Sequence, residues 1–233
     1  MTITSVKVDD GGQQVLPFYI LCDESMSMEG AKLDAVNQGL PKLHQAVASD
    51  PIVNDKVRVG VISFSDTAEE LVPLTKLSDL TQMPGLVSKG GTSYTAAFTV
   101  AKSAIDRDVA NLKSSGLQVL RPVIFFISDG EPTSPDWPTA HAALTGPSNP
   151  YAPHILSFGI TGAVGQVIKD VATDIKRMGK RFAWLADDGT DPGAVVKEII
   201  SKLVATVVSS GRNQNPVLIP PAPPTGVIDL DPV

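Results

Sequence analysis

The chain has 233 residues, of which 42% are hydrophobic and only 5% aromatic, and a formal net charge of -6. That length suits one large domain, or at most two, with a mainly aliphatic core. Lys and Arg are scattered rather than clustered, which argues against nucleic acid as a partner, because binding phosphates calls for a basic patch.

Residues 1–13 read as an N-terminal extension. Residues 15–22 (VLPFYILC) form a continuous apolar run, as expected of a strand covered on both faces. Leu33, Val36, Leu40, Leu43 and Val47 then recur at spacings of three and four, an amphipathic helix that Pro41 should kink or divide. Residues 57–64 (VRVGVISF) are the second strand, and residues 70–74 a short edge strand limited by Pro73. After Gly90-Gly91, a stripe through Ala97, Val100, Ala101, Ala104 and Ile105 marks another helix. Residues 123–127 (VIFFI) are the third buried strand, and residues 154–158 and 182–185 two more. Each of these last two is followed by a helical stripe, through Val164, Ile168 and Val171, then Val196, Ile199, Leu203 and Val207.

This alternation predicts an α/β fold over residues 14–210. The expected architecture is Rossmann-like and doubly wound, with a mostly parallel sheet of about six strands, one short antiparallel edge strand and helices on both faces. Residues 211–233 carry prolines at 216, 220, 221, 223, 224 and 232 and read as an extended tail outside the domain, unable to continue the sheet.

No apolar run approaches the ~18 residues that span a bilayer, so no membrane partner is expected. The start of the chain lacks the pattern of a secretory signal. Cys22 is the only cysteine, so no intrachain disulfide can form, and a cytoplasmic location is expected.

The chemistry concentrates at strand ends. Asp23-Glu24-Ser25-Met26-Ser27 follows the first strand; in an extended segment Asp23, Ser25 and Ser27 share one side, while Glu24 and Met26 face away. All three offer short oxygen-bearing side chains, which suit a hard dication such as Mg2+. Thr92, in Gly90-Gly91-Thr92-Ser93, adds a hydroxyl from a second loop. Asp129, in Ser128-Asp129-Gly130, adds a carboxylate at the end of the third strand. Each alone reads equally well as a helix cap or turn former; their joint placement at the carboxyl ends of parallel strands, where such folds bind ligands, favours a site.

Asp23-x-Ser25-x-Ser27, Thr92 and Asp129-Gly130 together resemble the metal-ion-dependent adhesion site of von Willebrand factor A domains, and VRVGVISFSD, GGTS and FFISDGEPT resemble its surroundings. The resemblance covers about residues 14–210. It implies a non-catalytic interaction module holding Mg2+, or Mn2+ or Ca2+, through Asp23, Ser25, Ser27, Thr92 and Asp129. The partner would be a protein offering an Asp or Glu carboxylate. The pattern LPFYILCDESMSMEGAKLDAVNQGL is most similar to bacterial tellurium-resistance members of TerY type, implying a stress-response adaptor with phosphatase and kinase partners. Family members commonly carry Gly where this chain has Met26.

The rival reading is a Mg2+-dependent phosphotransfer enzyme of haloacid-dehalogenase type, but its second acid would fall at Ser25. No nucleophile elbow or phosphate-binding loop is present. His44 on the first helix, His141 in a loop and His154 at a strand start read as solvated or structural, and Cys22 as core. Trp137 and Trp184 read as single aromatics without a stacking platform. An open metal position could attract Asp229 or Asp231 of the tail, giving autoinhibition.

Overall fold

The continuous apolar runs become strands buried on both faces. The computed structural model describes residues 12–187, 189–213 and 218–231. Strand β1 (Gln14–Asp23) leads through a 3-10 turn at Met26–Met28 into α1 (Ala31–Ala48), α2 (Pro51–Lys56) and β2 (Val57–Phe64). The hairpin strand β3 (Ala68–Thr75) follows, then α3 (Tyr94–Ser114), β4 (Gln118–Val119) and β5 (Val123–Ser128). The rest comprises α4 (Trp137–Thr145), β6 (His154–Gly159), α5 (Gly165–Val171), β7 (Ala183–Ala186), α6 (Pro192–Arg212) and β8 (Val227–Asp229).

The sheet runs β3-β2-β1-β5-β6-β7-β8, with β4 pairing β1 off this path. β2, β1, β5, β6 and β7 are mutually parallel, whereas β3 and β8 are antiparallel edges. Alternation within the apolar strands supplies two cores. Phe18, Ile20 and Cys22 of β1 face Leu33, Val36, Leu40, Val196, Ile199 and Leu203 of α1 and α6. Tyr19 and Leu21 face the other way, toward Tyr94, Phe98 and Ala101 of α3 and Ile168 of α5. Helix starts follow local chemistry: Ser93 caps α3 through Ala96 N, and Asp191 caps α6 ahead of Pro192.

The mostly parallel α/β architecture is the expected one, with four differences of detail. The sheet has eight strands rather than about six, because β4 and β8 are too short to show a pattern. Pro41 does not divide α1; it lies on the exposed side of one continuous helix, so the bond it removes leaves a carbonyl near solvent. His141 is not in a loop but on α4. Finally, part of the C-terminal segment does continue the sheet. No proline falls between 224 and 232, so Val227–Asp229 keep their amide donors and pair with residues of β7 (Ala183–Ala186). Leu218, upstream of β8, is buried in the core beneath α6.

Candidate metal site

β1 has β2 on one side and β5 on the other, so the chain order reverses at β1. Beyond the carboxyl ends of β1 and β5 the outgoing loops diverge and leave a crevice. Asp23 is the last residue of β1 and Asp129 follows the last residue of β5. Ser128 ties the two ends together by donating to Asp23 Oδ2 at 2.5 Å. Tyr94 at the start of α3 supports this link from below, its hydroxyl 3.1 Å from Ser128 Oγ and donating to the Gly130 carbonyl at 3.0 Å.

A row of short oxygen contacts crosses the crevice. The Ser25 amide donates to Asp23 Oδ1 at 2.8 Å, Ser25 Oγ lies 2.9 Å from Ser27 Oγ, and Ser27 Oγ donates to Asp129 Oδ1 at 2.7 Å. Asp23, Ser25 and Asp129 are buried and Ser27 is exposed at the rim. Ser25 and Ser27 meet for a different reason from the one the sequence suggests. The chain leaves the extended conformation after Ser25 and closes a 3-10 turn at Met26–Met28, which swings Ser27 back over Ser25. Glu24 does face away, pairing with Lys89 at 2.9 Å, and Met26 is 66% exposed.

Thr92 arrives on a loop pinned from two sides. Met26 N donates to Gly90 O and Lys89 N to Glu24 O, lacing this loop to the one after β1. Gly90 has φ of 61°, and a Cβ there would fall 2.4 Å from Asp66 Oδ2, so only glycine fits where Asp66 accepts the Gly91 amide. Thr92 is buried, and its hydroxyl lies close enough to Gly130 that a Cβ on that glycine would stand 2.9 Å away. Four of the five residues singled out in the sequence are thus joined by contacts, and Thr92 lies against Gly130, the neighbour of Asp129.

Burial of Asp23 pushes its carboxyl up to about 6; hydrogen bonds from Ser128 and Ser25 pull it down, and the charge of Asp129 adds to the rise. A buried pair of acids with hydroxyls between them is short of positive charge. Lys32, which sequence reasoning passed over, supplies one: its Nζ pairs with Asp129 Oδ2 and donates to Ser27 O at 3.1 Å and Thr161 O at 3.2 Å. The available signal was a lysine in the first turn of α1, where the helix dipole disfavours a cation without an acid nearby.

The remaining candidates stay outside the crevice. Cys22 is buried, and desolvation pushes its thiol far above the ordinary range. His44 Nε2 lies within 2.8 Å and 2.9 Å of the Leu77 and Leu80 carbonyls. His141 Nε2 contacts Val171 O, and burial depresses its basicity. Burial beside Arg121 and Arg177 lowers His154 to about 4. The tryptophans are not isolated: Trp184 stacks on Phe158 at 4.9 Å, and Trp137 packs edge-on against Tyr94 and His141. Each belongs to a core aromatic cluster, formed by residues distant in sequence. The tail acids also lie elsewhere, since Asp229 pairs with Lys180 and Asp231 with Lys169, both at 2.9 Å. They are committed to the β7 edge rather than to Asp23 and Asp129.

Among the described residues no group of three or more His, Cys, Asp and Glu is placed to hold a metal, so any metal site here must rely on hydroxyls. No helix among them is long and apolar enough to cross a membrane.

Residues 18–131 match the family model of the von Willebrand factor type A domain. A search of curated proteins finds no match. Among solved structures, the chain resembles a von Willebrand factor type A protein from Catenulispora acidiphila, with 15% identity and TM-score 0.59 over 84% of this chain and 43% of that one. The pilus adhesin SpaC of Lactobacillus rhamnosus GG gives 16% identity and TM-score 0.61 over 84% and 30%. Proximal thread matrix protein 1 of the mussel byssus, solved with a zinc-occupied MIDAS motif, gives 14% and 0.54 over 84% and 48%. The chain thus spans less than half the length of each of these proteins. The fold is that of a von Willebrand factor type A domain.

Proposed function

We propose that this chain, with its von Willebrand factor type A fold, is a metal-dependent protein-interaction module that binds an acidic side chain of a partner through one divalent cation. The single observation that carries the reading is the row of contacts from Asp23 through Ser25 and Ser27 to Asp129 at the switch point of the sheet, buried except at Ser27 on its rim. The donor set fits a hard dication such as Mg2+ or Mn2+, which prefers oxygen ligands and keeps several waters. Ser25, Ser27 and Thr92 would hold the ion through hydroxyls, and Asp23 and Asp129 would supply the negative charge. When bound, the ion offers an electrophilic position to a carboxylate oxygen. Because three of the five donors are neutral, that attraction is not quenched as it would be in an all-carboxylate site.

The same residues support a binding role over catalysis. Among the described residues no histidine lies in the crevice to act as a base for its serines, whose hydroxyls are spent on each other and on the two acids. The Cys22 thiol is buried and held protonated. We read the chain as a cytoplasmic stress-response adaptor of tellurium-resistance type, a placement supported by the sequence pattern around Asp23 alone.

The test is calorimetric titration of the full chain with Mn2+, alongside Asp23→Ala and Asp129→Ala. Binding at a single site that either substitution abolishes is expected; unchanged binding in both rejects the assignment. Mg2+-dependent phosphatase turnover that disappears in Asp23→Asn would replace the binding role with phosphotransfer.

A further inference from the structure

We infer that Lys32 is a built-in counter-ion of this site, which weakens its hold on a divalent cation and leaves the loaded site with surplus positive charge for an incoming carboxylate. The inference rests on the metal-site reading above and adds a residue to it.

Three acceptors from three segments converge on the Lys32 ammonium: Asp129 Oδ2 after β5, the Ser27 carbonyl after β1 and the Thr161 carbonyl after β6. An ammonium has three protons, so this seat satisfies all of them. The side chain is only 17% exposed and that of its partner Asp129 is fully buried, unlike the Lys89–Glu24 pair nearby, whose lysine is 50% exposed. Burying a lysine in the first turn of a helix is unfavourable twice over, through desolvation and through the helix dipole. Asp129 offsets both, which explains why the lysine is seated there rather than in solvent.

The two oxygens of Asp129 are thereby divided. Oδ1 accepts from Ser27 and belongs to the hydroxyl row, while Oδ2 belongs to Lys32. The charge count follows. With both acids ionised, Asp23 and Asp129 contribute two negative charges and Lys32 cancels one; Glu24 and Lys89 cancel each other. A dication then brings the cluster to a net positive charge, where without Lys32 it would reach neutrality. Repulsion between the ammonium and a dication is weakly screened at a buried site, so affinity for metal falls. The same surplus favours a partner carboxylate over water.

The experiment compares the full-length wild type with Lys32→Gln, Lys32→Met and Lys32→Arg by calorimetric titration with Mn2+ at neutral pH. Loss of the charge should tighten Mn2+ binding about tenfold or more, and the arginine variant should stay within about twofold of wild type. Acetate titrated into the Mn2+-loaded proteins, followed by water-proton relaxation, should bind the neutral variants at least about threefold more weakly than wild type. Lys32→Met keeps the apolar stem and guards against a folding defect in Lys32→Gln, with thermal melting by circular dichroism as the check. Equal or weaker Mn2+ affinity in a folded neutral variant overturns the counter-ion role while leaving the metal site standing. No Mn2+ binding by the wild type or any variant overturns the metal site and this inference with it.

Discussion

Two acidic segments of the chain, Asp23 with Asp129 at the crevice and Asp229 with Asp231 at the β7 edge, meet opposite fates. The first pair is buried and bridged by serine hydroxyls, and burial pushes the Asp23 carboxyl up to about 6. The second pair is part-exposed and matched to lysines, and the Arg181 amide together with Lys169 holds Asp231 below the ordinary carboxylate range. A carboxylate with a cation of its own is a fastening. The two crevice acids share a single cation, Lys32 on Asp129, so one negative charge stays unspent, and a metal needs that.

The sharpest break between the two pairs is expected in metal binding. Removing both crevice acids, Asp23→Ala with Asp129→Ala, should weaken Mn2+ binding by about a thousandfold, roughly 4 kcal/mol. Asp229→Ala and Asp231→Ala should leave it within about twofold in the same titration. A comparable loss in the tail variants would erase the distinction.

The second difference is in pH response. Asp23 titrates near 6 in the fold but near its ordinary 3.8 unfolded. Between those values the folded chain retains a proton that the unfolded chain has lost, so the metal-free protein loses stability as pH rises through this window. The loss is up to about 3 kcal/mol and is complete above pH 6. Urea melts in chelator at pH 4 and pH 7 should show this slope in the wild type and a flatter one in Asp23→Asn; parallel slopes contradict it. Asp231, with its depressed value, has the opposite sign: its contribution is present at neutral pH and disappears as pH falls below the carboxylate range.

A smaller effect is expected from Gly130→Ala. The added methyl would press on the Thr92 hydroxyl from 2.9 Å, costing about 1–2 kcal/mol of stability and moving one donor of the metal set. Mn2+ affinity should fall with it; a variant unchanged in both melting and titration would argue that Thr92 can step aside. Least affected should be Asp231→Asn, under about 1 kcal/mol in a urea melt, because a part-exposed ion pair contributes little.

Much of this was legible in the chain because a strand covered on both faces must be continuously apolar, which made β1, β2 and β5 visible along with the acids at their ends. β4 and β8 are too short for any periodicity to register. α4 hid behind Pro135 and Pro138, although Pro138 sits near its start, where the missing amide costs nothing. In the crevice, the convergence of Ser25 and Ser27 was anticipated for the wrong reason, alternation rather than a 3-10 turn. Lys32 and Ser128 were missed because their roles depend on partners 97 and 105 positions away, which no local pattern carries.

β8 also bears on how the protein is made. It is the last of the described strands in chain order, and the edge it covers, β7, precedes the 21 residues of α6 and the proline stretch in synthesis. Throughout that interval β7 presents unpaired amides and carbonyls to whatever lies beside it. A neighbouring nascent chain on the same message can offer its own Val227–Asp229 to that edge as readily as the parent chain does, and an exchanged strand would satisfy the same three residue pairs. The edge is closed last, and crowded synthesis meets it open.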